Sequence, residues 1–145
     1  MITISRSSLV GYSAEKMYAL VEDIESYPKF LPWCSGAEIS VREGTRTVAT
    51  MHVNFHGIRE SFTTENANVP SRMIAMELLS GPFRHLRGHW QFTPLSGEGC
   101  KIEFRLEYEI SNRLLAKLIG PVFQHIGNSF VDAFIRRAER IYARR

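Results

Sequence analysis

Five histidines, two cysteines and fifteen carboxylates are the side chains here that could carry acid–base, nucleophilic or metal chemistry. Two histidine pairs recur at i, i+4: His52/His56 and His85/His89. If such segments are strands, residues four apart share a face but stand ~13 Å from one another. Ligands of one metal must each reach it at ~2 Å, so neither pair suits a metal. Cys34 and Cys100 lie far apart, outside any CxxC spacing. They read as small apolar core residues in a reducing compartment. No GxSxG, phosphate-loop or dinucleotide pattern occurs, and Gly97-Glu98-Gly99 is a turn. Glu60 and Glu77 read as surface residues. His125, one position from an apolar helical stripe, is the single candidate for a general base. No catalytic residue, no metal and no resident cofactor is expected.

The elements that position these residues are more informative. From Lys101 to Ile110, Ile102, Phe104, Leu106, Tyr108 and Ile110 alternate with charged residues. That is an antiparallel strand with one wet face. A long amphipathic helix follows, capped by Ser111 or Asn112. Its apolar stripe runs Leu115, Ile119, Val122, Phe123, Ile126, Phe130, Phe134 and Ile141. Pro121 removes the hydrogen bond to the Lys117 carbonyl, which predicts a kink or a restart there.

Earlier segments read as six further strands joined by short turns: Ile2–Leu9, Glu38–Arg42, Arg46–Phe55, Ile58–Asn66, Arg72–Leu79 and His85–Thr93. A short helix begins after Ser13 and runs to about Glu25. Between it and the second strand, Tyr27-Pro28-Lys29-Phe30-Leu31-Pro32-Trp33-Cys34 is apolar yet holds two prolines. That combination excludes a ladder strand or a helix interior and predicts a rigid plug over one end of the core. The class is therefore α+β: a curved, antiparallel, seven-stranded sheet in meander order around one long C-terminal helix, within one domain spanning 1–145.

A single helix covers such a sheet incompletely. The facing surfaces are aromatic and flexible: Phe55, Phe62, Met76, Trp90, Phe92 and Phe104 on the sheet. Phe123 and Phe130 stand on the helix, and Phe30 and Trp33 on the plug. Gly88, Gly127 and Ser129 are small positions expected to leave room. The pattern predicts a greasy, roomy cavity that binds a hydrophobic small molecule by burial alone.

Charge adds a second surface. The net charge is +3, but the segment from Asn112 onward holds seven basic residues against Asp132 and Glu139. Arg136, Arg137, Arg140 and Arg144 lie on its polar face. The helix dipole accounts for one or two of them, and the remainder suit an anionic partner such as RNA or, transiently, a lipid surface. DNA is not expected. No run reaches the ~18 apolar residues of a membrane span, and Met1–Arg6 lacks a signal peptide's apolar run. A cytoplasmic protein is expected.

Three motifs carry a resemblance: Tyr27-Pro28-x-Phe30-x-Pro32-Trp33-Cys34; Gly81-Pro82-Phe83-Arg84-x-Leu86-x-Gly88-x-Trp90-x-Phe92; and Pro121-Val122-Phe123 followed by Ala133-Phe134-x-x-Arg137-Ala138. In order and across the whole chain, they resemble the coenzyme Q-binding, START-like family, also called polyketide cyclase and lipid transport proteins. The family pattern falls on Tyr27, Pro32, Trp33, Phe83, Trp90 and Phe123, which adds Phe83 to the ligand candidates.

The resemblance implies a helix-grip fold with two short helices after strand one. It implies non-enzymatic binding of ubiquinone or a related isoprenoid lipid, in support of respiratory quinone function. For the bacterial toxin members it implies instead a partner, the large ribosomal subunit, whose joining to the small subunit is blocked. A cyclase would need an acid or base within the cavity, and His125 alone is available for it.

Overall fold

The computed structural model describes residues 1–143. Seven antiparallel strands form one sheet: β1 (Ile2–Val10), β2 (Cys34–Glu43), β3 (Arg46–Phe55), β4 (Ile58–Val69), β5 (Met73–Ser80), β6 (Phe83–Pro94) and β7 (Cys100–Ile110). Their order is β1-β7-β6-β5-β4-β3-β2. β2 to β7 form the expected meander. β1 instead pairs with β7, from Ile2↔Tyr108 to Val10↔Cys100. The chain crosses from β1 to the far edge through α1 (Ala14–Glu22) and a 3-10 helix (Ile24–Lys29). Breaks in register between β2 and β3, between β4 and β5 at Thr63/Thr64, and between β6 and β7 at Phe83/His85 help the sheet curve.

The terminal helix α2 (Arg113–Tyr142) fills the concave side. Asn112 caps it, its side chain accepting from the Leu115 amide at 2.8 Å. The predicted restart at Pro121 does not occur; the helix runs through. Ile119, Val122, Phe123 and Ile126 are buried in the same core on both sides of the proline. Lys117, whose carbonyl loses its partner, is exposed, so water can satisfy it.

The plug is more regular than its prolines suggest. Pro28 lies inside the 3-10 helix, a single tight turn compatible with its fixed φ. Tyr27, Leu31 and Trp33 are buried there. The Tyr27 hydroxyl donates to the Val21 carbonyl at 2.5 Å, and its ring meets Phe30, Phe130 and Phe134 edge-on. The core is one continuous cluster of sheet, plug and helix side chains. Helix, sheet and the two short helices after β1 form the helix-grip arrangement that the motifs imply.

Candidate ligand-binding cavity

Period-two alternation places Met51 on β3, Phe62 and Thr64 on β4, Met76 on β5, and Leu86, Gly88 and Trp90 on β6 toward the helix. Two small cavities lie between these residues and α2. One, about 60 Å³, is lined by Trp33, Phe62, Phe104, Leu106, Phe123 and Ile126, among others. The second, about 30 Å³, is lined by Val21, Tyr27, Asn66, Ile74 and Trp90, among others. Met51, Thr64, Met76 and Phe130 line both and so form the wall between them.

The expected roominess is not found. Ligand pockets usually hold ~300–1,000 Å³, far more than either space. The small residues explain the shortfall. A Cβ on Gly88 would meet the Met76 ε-methyl at 3.0 Å and Leu106 at 3.2 Å, and a Cβ on Gly127 would collide with the Ile4 side chain. These positions receive neighbouring side chains rather than leaving a gap. Ser129 turns its hydroxyl back to the His125 carbonyl at 2.8 Å.

Of the predicted ligand residues, Trp33, Phe62, Met76, Phe104, Phe123 and Phe130 meet around the larger space. Trp90 lines the smaller one. Four stand outside both. Phe30 packs on Phe134 and beneath the Arg137 guanidinium, 5.0 Å from its ring centroid. Phe55 stacks on His125 at 5.2 Å. Phe83 packs on Phe123 at 4.9 Å, and Phe92 lies parallel to Trp90 at 6.1 Å.

Sequence reasoning missed a buried polar row on the inner face. Thr47, Thr64, Asn66 and Asn68 are all buried. The Thr64 hydroxyl donates to Asn66 Oδ1 at 2.9 Å, and Asn68 Nδ2 donates to Thr47 Oγ1 at 3.1 Å. The signal was available: counting inward from Phe62 by twos reaches Thr64, Asn66 and Asn68. Two further buried polar atoms, Trp90 Nε1 and Tyr108 Oη, have no hydrogen-bond partner.

No Asp, Glu, His, Lys, Arg or Cys lines either cavity. Tyr27 is the one titratable lining group, and burial pushes its phenol far up. His125 is exposed. His56 lies in the β3–β4 turn, at φ 51°, between the two strands as the sequence bounds Arg46–Phe55 and Ile58–Asn66 predict. His85 and His89 lie along β6 as expected. On the sheet's outer face His52 Nδ1 meets Ser61 Oγ at 2.6 Å and Nε2 meets Glu38 at 3.3 Å. This acid–histidine–serine chain spans three strands in water, beside an open groove of about 540 Å³. Nothing there excludes solvent or pre-positions donors for a developing oxyanion. Burial raises the Cys34 and Cys100 thiols above their ordinary range, away from thiolate reactivity.

At the cationic end of α2, Arg136 and Arg140 are exposed. Neither has an ion-pair partner among the described residues. Arg137 is half-buried over Phe30. Arg144 lies outside the described residues. No described helix is long and apolar enough to cross a membrane.

The family described as polyketide cyclase / dehydrase and lipid transport matches residues 10–135. The chain belongs to that family. Within the polyketide cyclase and lipid transport family, it is 45% identical over 145 residues to the ribosome association toxin RatA of Escherichia coli K12, covering 100% of this chain and 92% of that one. It is 32% identical over 148 residues to the mitochondrial coenzyme Q-binding protein COQ10 homolog B of Xenopus laevis, covering 99% of this chain and 60% of that one. Among solved structures, the Zhui aromatase/cyclase of Streptomyces sp. R1128 superposes with a TM-score of 0.83 at 18% identity, covering 96% and 94% of the two chains. That last likeness is one of fold. Relatives of this chain are thus named as a toxin and as a quinone binder, and a protein named as an aromatase/cyclase shares its fold.

Proposed function

We propose that this chain is a non-enzymatic cytoplasmic binder of a hydrophobic molecule, ubiquinone or a related isoprenoid lipid, in support of respiratory quinone function. The observation that carries this is the seam between sheet and helix: apart from Thr64 and Asn66 it is lined by rings, methionines and small or aliphatic groups, and it bears no charged residue. A cyclase needs a proton donor or acceptor at the reacting carbon, and Tyr27, already donating to Val21, is a poor one. The space must widen to admit a guest. Met51, Met76 and Phe130 form the wall that moves, and methionine is the core residue that repacks at least cost.

Native mass spectrometry and lipid extraction of protein purified from its own host test the reading. Co-purifying quinone, and a thermal shift with short-chain quinone, are expected. At one hundred times its dissociation constant, a ligand stabilises by about 2.7 kcal/mol. Absence of both results overturns the reading.

A second activity is favoured by Arg136 and Arg140, exposed and without an ion-pair partner among the described residues, and by the 45% identity to a ribosome association toxin. Here the outer face of α2 binds the large ribosomal subunit and blocks subunit joining. It is compatible with the first activity because the two surfaces are distinct. Co-sedimentation with large subunits should weaken with salt, as phosphate contacts do, and be lost on R136E/R140E. Unchanged co-sedimentation of that variant removes this reading.

A further inference from the structure

The smaller cavity differs from the larger in carrying hydrogen-bonding groups. Thr64, Asn66 and Trp90 all line it, and each is less than 10% exposed: 8%, 4% and 1%. Their hydrogen-bond assignments decide what they can offer. Thr64 spends its proton on Asn66 Oδ1. Tyr27 spends its proton on the Val21 carbonyl. Asn66, having accepted through its oxygen, presents its amide NH2. Trp90 Nε1, a donor with no acceptor function, is buried with no partner.

The free groups are therefore donors, and for the Trp90 indole, buried with no partner, the missing acceptor is costly. No Lys, Arg or His is present to neutralise an anion. A carboxylate or phosphate head would be buried without a counter-charge, at a cost of several kcal/mol. A hydrocarbon end would leave the indole N–H unpaired.

We propose that Trp90 and Asn66 form the head subsite of the cavity, and that it takes an uncharged head bearing carbonyl or ether oxygens. The hydrocarbon tail then runs past Met51 and Met76 into the larger space beside Phe62 and Phe123. The inference rests on the apolar-cavity reading above and sharpens it: charged lipids are rejected, and oxygenated neutral ones are selected over plain hydrocarbon.

The test is calorimetric titration of the full chain with three probes: a decyl-substituted dimethoxybenzoquinone, dodecylbenzene, and dodecanoate at pH 8. The quinone should bind at least tenfold more tightly than dodecylbenzene, and dodecanoate should not bind. Trp90→Phe and Asn66→Leu, checked for native melting, should each weaken quinone binding by about threefold to tenfold, the worth of one neutral hydrogen bond. Neither should weaken dodecylbenzene binding in the same proportion, because the hydrocarbon accepts no hydrogen bond from either group. An independent readout needs no variant: the Trp90 indole N–H resonance should move with the quinone and not with dodecylbenzene, while that of Trp33 serves as the control.

Equal affinity for quinone and dodecylbenzene overturns the head subsite and leaves the apolar cavity standing. So does an unchanged quinone affinity in both variants with a stationary Trp90 resonance, the result expected if a trapped water alone meets the indole. Tight dodecanoate binding overturns it equally. Failure of all three probes to bind removes the cavity reading itself.

Discussion

The δ-methyl of Ile4 occupies the space that a Cβ on Gly127 would need. The contact joins the first strand to the middle of the last helix. It is reinforced by Arg6, whose guanidinium donates to Asn128 Oδ1 at 2.5 Å. Helix and edge strand are thereby closed against each other on the side where β1 ends the sheet. Gly127→Ala should force the Ile4 δ-methyl to shift, and this overpacking should cancel the ~1 kcal/mol that alanine gains over glycine inside a helix. Urea denaturation would read this as a midpoint that does not rise, with an unchanged slope. A midpoint raised by the full helix-propensity gain would show that the two elements are not in close contact.

Phe130 stands between the two cavities and packs on Tyr27, Trp33, Trp90, Phe104 and Phe134. Phe130→Ala should cost about 3–5 kcal/mol and merge the two spaces. A fold that survives this should take up benzene or xenon more tightly than the native protein does. Loss of stability below 1 kcal/mol would contradict the packing described.

Cys34 and Cys100 should both resist a thiol-specific chromophoric reagent in the native protein at pH 8. They are 5% and 0% exposed, and burial is the main cause that raises both thiols. Two equivalents should react at once in denaturant. Rapid labelling of either thiol under native conditions would place it at the surface.

The phenols set an alkaline limit. Burial raises Tyr27 and Tyr108 above the ordinary value of 10.0. A folded-state value above the unfolded one means that the folded protein holds protons the unfolded chain releases. Their contribution is therefore complete below pH ~10 and is lost as pH rises beyond it. Stability should be level through neutral pH, as far as these groups are concerned, and fall above pH ~10. Tyr27→Phe loses the bond to Val21, about 1 kcal/mol, at neutral pH. The gap between variant and parent should narrow as pH rises past 10. A gap that widens there would contradict the burial of this phenol.

Much of this was legible along the chain. The alternation of Ile102 to Ile110 names the inner face of β7 correctly, because sheet side chains alternate whatever the tertiary context. Periodicity alone places Phe62 and Trp90 toward the helix and Phe123 and Phe130 toward the sheet, while Trp33 is legible as part of the apolar two-proline plug. The polar row Thr64–Asn66–Asn68 follows the same rule, but polar residues draw no attention in a search for apolar faces. Phe30, Phe55, Phe83 and Phe92 belong to the apolar interior or its rim yet touch neither cavity. Which ring fills space and which borders it depends on rotamers and on residues distant in sequence.

The sequence by itself determined the seven strands, the closing helix, the two-proline plug and the cationic helix end. Each follows from local spacing, caps and turn residues. Only the tertiary structure decided that β1 joins β7, that Pro121 is spanned without a break, and that the interior is narrow. Packing of the helix on the sheet brings Gly127 to Ile4, and strand pairing brings Met76 to Gly88. Volume is a property of side chains that meet from opposite ends of the chain, and no local pattern encodes it.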